Sequence, residues 1–79
     1  MSQQPSIAEK ELRTQVAAAL LLRGISQAEA ARRLGLSNKH LNQMITGRAP
    51  LPLHWAERIL ALAGMRIVIG LQHTIEEQR

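Results

Sequence analysis

The chain has no cysteine, no phenylalanine and no tyrosine, and Trp55 is its only aromatic residue of the Phe/Tyr/Trp set. Without cysteine there is neither a disulfide framework nor thiolate chemistry. With a single large ring, the core has to be built from Leu, Ile, Val, Ala and Met. Long apolar runs are missing too. The two longest, Val16 to Leu22 and Ile67 to Leu71, fall far short of the roughly 20 residues that a membrane-spanning helix needs. The opening MSQQPS lacks the basic-then-apolar order of a secretory signal, so a cytoplasmic protein is expected. There is no glycine-rich phosphate loop and no cluster with metal-ligand spacing. His40, His54 and His73 stand far apart, with no acid placed to join two of them. A chain of 79 residues also leaves little room for a supported pocket around a Ser-His-acid set. No catalysis, cofactor, metal, membrane or small-molecule substrate is therefore expected.

What is present is one small domain, 1–79, with a net charge of +4 that favours a polyanionic partner. The most informative stretch is 26–47, SQAEAARRLGLSNKHLNQMITG. Ser26 with Glu29 forms a capping box, each side chain covering an orphaned N–H of the first turn. Ala30, Ala31 and Leu34 then give an apolar stripe at helical spacing. Gly35 follows where a left-handed residue ends a helix, Leu36 points back to the core, and Ser37 caps a second helix. On that helix Leu41, Met44 and Ile45 share one side, while Asn38, Lys39, Asn42 and Gln43 share the other, and Gly47 ends it. The polar side carries no acid. Asn and Gln match the edge of adenine, Lys matches guanine, and an acid-free helix meets phosphates without repulsion. A solvated polar face is the plainer alternative for these four residues.

This run resembles the helix-turn-helix of the lambda repressor and Cro (XRE) family, most of all its small phage Cro-like or prophage regulators. The resemblance rests on Gln27 opening the first helix, Ala31 four residues on, Gly35 in the turn, and Leu41 and Met44 inside the second helix. The small Ala31 lets the helices cross closely and Gly35 allows the bend. Its span is Leu12 to Ala63. It implies an all-α, four- to five-helix lambda-repressor-like domain with a short C-terminal β-strand. It also implies that Gln27 bonds a phosphate while holding the second helix in register, although a first-turn Gln also suits plain solvation. Arg48, in the loop after Gly47, resembles the family's phosphate clamp, and Ser37 is a further phosphate candidate.

Elsewhere Ser6 with Glu9 makes another capping box, opening a first helix with Leu12, Val16, Ala19 and Leu20 inside and Gly24 at its end. Lys10, Arg13 and Arg23 are placed outside with Glu9 and Glu11, the first two on a mixed-charge solvated face. Arg32 and Arg33 suit the negative end of the second helix. Pro52 suits the first turn of a fourth helix that buries Trp55, Ile59 and Leu62, flanked by Ala56, Leu60 and Ala63, and stops at Gly64. His40 is a turn-stabilising or phosphate-side group, and His54 is exposed.

The tail 65–79 changes period. Met65, Ile67, Ile69 and Leu71 alternate with other residues in a strand pattern that has no partner within the chain. A second copy would cover its open edge, giving a homodimer held by Ile67, Ile69 and Leu71; the competing arrangement packs the segment on its own first helix. The expected function is that of a sequence-specific regulator of transcription, a repressor on a near-palindromic double-stranded DNA operator. Asn38, Lys39, Asn42 and Gln43 would read bases, and Gln27, Ser37 and Arg48 would hold phosphates. The alternative is an antitoxin-type protein whose C-terminal segment grips a protein partner.

Overall fold

The computed structural model describes residues 6–71. The polar leader and the end of the chain, with His73, lie outside the described residues. Four helices follow one another: α1 (Ile7–Leu22), α2 (Gln27–Leu34), α3 (Asn38–Thr46) and α4 (Leu53–Leu62). No helix among the described residues is long and apolar enough to cross a membrane.

The boundaries follow from local chemistry. Ser6, Ser26 and Ser37 occupy the N-caps of α1, α2 and α3, each hydroxyl accepting the N–H three residues on at 3.0 Å. The reciprocal half of the two expected capping boxes does not form. Glu9 turns to Arg13 instead, and Glu29 to Arg32 and Arg33, because a guanidinium on the next turn is a stronger partner than a backbone amide. Gly35 takes the left-handed conformation (φ 72°), and the Leu36 N–H closes back on the Ala31 carbonyl oxygen at 2.9 Å. Pro52 is the N-cap of α4 rather than a residue of its first turn, so that helix begins without a side-chain cap.

The core joins α1 to α4 and α3, and α2 to α3 and α4. Val16, Leu41, Met44 and Ile59 are its largest fully buried side chains, each worth about 1.5–3 kcal/mol of transfer free energy. Ala30, Ala31 and Leu34 are buried on α2 as their spacing requires, and Leu12 packs at the edge. On α4 the buried stripe is Ala56, Ile59 and Leu60, continued by Ala63 at its C-cap, with Trp55 and Leu62 only half-buried on its flank. The two alanines are buried where Trp55 is not, so the ring lies at the margin of the core. There the Arg58 guanidinium carbon sits 4.6 Å from the Trp55 ring centroid, a favourable cation–π geometry.

Two further expectations change. Arg13 is not on a solvated face: it is the one buried charged residue among those described. The segment 65–71 forms no strand among the described residues, because a strand needs a neighbouring strand to bond and one chain supplies none. Ile67 packs against the core, while Val68, Ile69 and Leu71 are 81%, 71% and 98% exposed.

Candidate nucleic-acid interface

The outward side of α3 and the first turn of α2 form one polar surface. Gln27 opens α2 and reaches across the turn to α3 through both ends of its amide. Its Nε2 donates to Asn38 Oδ1 at 2.9 Å, and its Oε1 accepts from Asn42 Nδ2 at 3.2 Å. Asn38 and Asn42 lie four residues apart, so one side chain on α2 addresses two successive turns of α3. These bonds orient all three amides. With its oxygen engaged by Gln27, Asn38 keeps its NH2 group for the outside. Asn42, with one N–H engaged, keeps its oxygen and a second N–H.

The remaining expected residues fall around this chain of amides. Lys39 and Asn38 are exposed, and Asn42 and Gln43 are half-buried on the same helix. Ser37 spends its hydroxyl oxygen on the His40 N–H, while the His40 side chain is exposed. Arg48 is exposed in the loop beyond Gly47, whose φ of 91° allows the Arg48 N–H to return to the Gln43 carbonyl oxygen at 2.9 Å. No acidic residue occurs between Glu29 and Glu57, whereas Arg32, Arg33, Lys39 and Arg48 do. Arg32 and Arg33 are both drawn to Glu29, with Arg33 Nε 2.7 Å from its carboxylate. Those two hydrogen bonds hold the Glu29 carboxyl below the usual glutamate range, Arg32 contributing most.

A family profile described as a helix-turn-helix domain matches residues 10–66. The chain belongs to the helix-turn-helix domain family. Neither curated proteins nor solved structures yield a match. The α2–turn–α3 unit of this DNA-binding helix-turn-helix domain is the pair Gln27–Leu34 and Asn38–Thr46. Among the described residues of the domain there is no group of His, Cys, Asp or Glu that could hold a metal ion.

One polar residue of the domain escapes a reading by composition. Arg13 Nε donates to the Met44 carbonyl oxygen at 2.9 Å, and its Nη2 donates to the Ala49 carbonyl oxygen at 2.9 Å and to Glu9 at 2.6 Å. Its place in the helical period was the available signal, since 13 shares a face with 16 and 20, and Glu9 stands one turn before it.

Proposed function

We propose that this domain is a sequence-specific double-stranded DNA-binding regulator of transcription, a repressor of the Cro-like (XRE) kind. The reading is supported above all by an acid-free outer side of α3 whose Asn38 and Asn42 amides are oriented by Gln27. In this reading α3 enters the major groove with its N-terminal half toward the base edges. Asn38 offers donors to guanine O6/N7 or thymine O4, and Asn42 offers the acceptor–donor pair that adenine matches. Lys39 and Gln43 complete the reading set. Arg48 and Ser37 contact phosphates, and Gln27 adds a phosphate to its work of orienting the two asparagines. Such a protein acts in the cytoplasm and needs no cofactor or catalytic group.

The exposed Val68, Ile69 and Leu71 support a protein partner for the tail. The proposed partner is a second copy, which would set two α3 helices about 34 Å apart on a near-palindromic operator. Solution mass tests the dimer. A monomer that instead holds a neighbouring gene's product favours the antitoxin reading.

Selection of bound duplexes from a random pool tests the central reading, with Gln43→Ala as the discriminating variant. The expected result is a defined site and a loss of about 1–3 kcal/mol confined to one base pair. Equal losses on the selected and a scrambled duplex would refute direct readout.

A further inference from the structure

Arg48 is exposed, but the backbone on either side of it is held from α1. Arg13 binds the carbonyl oxygens of Met44 and Ala49, both at 2.9 Å. The Glu9 oxygen that receives Arg13 also accepts the Leu51 N–H at 3.3 Å. Gly47 lies against the same guanidinium, where a Cβ would stand 3.8 Å from Arg13 Nε. Two side chains one turn apart on α1 thus fix three main-chain groups within 44–51, bracketing Arg48.

We propose that the Glu9–Arg13 pair positions the domain for DNA binding, setting the direction in which Arg48 leaves the surface and hence the phosphate it meets. The proposal rests on the reading of Arg48 as a phosphate contact. A buried ion pair gains little in stability over apolar residues of the same volume, so stability alone is a weak reason for its presence here. The planar fork of arginine can hold two carbonyl oxygens and a carboxylate at fixed angles; the ammonium of lysine cannot. A loop ordered in advance also loses less conformational freedom when the phosphate is bound. Pro50 and Pro52 restrict the local dihedrals of this loop, but they do not tie it to α1.

The test measures binding to a mixed-sequence DNA duplex over a range of salt concentrations, since a phosphate contact is indifferent to sequence. Wild type, Arg48→Ala, Arg13→Lys and the double variant are compared below their melting temperatures, with the folded fraction fixed by circular dichroism. Arg48→Ala should weaken binding several-fold and reduce the salt slope by about 0.9, the release expected for one phosphate. Arg13→Lys keeps the net charge and is remote from solvent, yet it should reproduce most of both effects, and the double variant should bind no worse than Arg48→Ala. Glu9→Ala, which frees Leu51, should couple to Arg48 in the same way and decides the matter if Arg13→Lys does not fold. A purely structural role would lower the melting temperature, leave the salt slope at the wild-type value and add to the Arg48→Ala loss; that result overturns the proposal. If Arg48→Ala itself changes neither affinity nor slope, the phosphate reading fails and the proposal fails with it. Loss on Arg48→Ala without coupling removes the positioning role alone.

Discussion

Gln27 Nε2 and Asn38 Oδ1 are joined at 2.9 Å, a bond that crosses from the first residue of α2 to the first residue of α3. Because Gln27 also accepts from Asn42, the polarity of two α3 amides depends on one side chain outside α3. Replacing Gln27 by Glu leaves an acceptor where Asn38 now finds a donor, so Asn38 should rotate its amide and turn its oxygen outward. Duplexes selected by Gln27→Glu should then shift at one position from an acceptor edge toward a donor such as cytosine N4. Gln27→Ala should broaden the preference at the positions served by Asn38 and Asn42, with about 0.5–1.5 kcal/mol lost in stability. An unchanged selected site in both variants would show that the amide chain does not govern readout.

Core position, rather than hydrophobicity, decides what a leucine is worth in this domain. Leu41 is wholly buried and Leu21 is 82% exposed. Leu41→Ala should cost about 2–5 kcal/mol, enough to threaten a domain of this size. Leu21→Ala should stay within about 0.5 kcal/mol. Urea denaturation of the two variants checks both values.

The turn between α2 and α3 makes a backbone demand without a steric one. Gly35 has a φ of 72°, and a Cβ added there would meet nothing within 4 Å. Gly35→Ala should therefore lose about 1–2 kcal/mol through the left-handed conformation alone. Gly35→Asn should lose less, since Asn visits that region more readily. Similar losses for Asn and Ala in thermal melts would contradict this account.

Acid should act on α2 through Glu29. Its carboxyl is held low by hydrogen bonds from Arg32 and then Arg33. A lowered folded-state value means that the contribution is complete above the unfolded glutamate value and is lost as pH falls through the folded one. Melting temperature should thus decline over that acidic window, and Glu29→Gln should remove part of the decline. Added salt should shrink the difference, because the pair is at the surface.

The helix boundaries were legible because they rest on neighbours in sequence: Ser6, Ser26 and Ser37 start helices, and Gly35 and Gly47 stand at their ends. The α2–α3 apolar stripes were legible for the same reason. Arg13 was not, since burying a charge depends on two carbonyl oxygens that only the folded chain brings to it. The place of Trp55 at the margin of the core was not legible either, since which side of α4 is buried is decided by its tertiary neighbours. Asn38 and Asn42 were visible as amides on one face of α3. Their orientation was not, because it comes from Gln27 on another helix.

Ile67 is half-buried against the core even though the residues beside it face outward. Cutting the chain after Gly64 would take Ile67 away from the core's edge while also removing any grip on a sister molecule, so a truncated form that misbehaves would confound two causes. A single polar replacement at Leu71, which is 98% exposed, leaves Ile67 in place and asks about self-association alone.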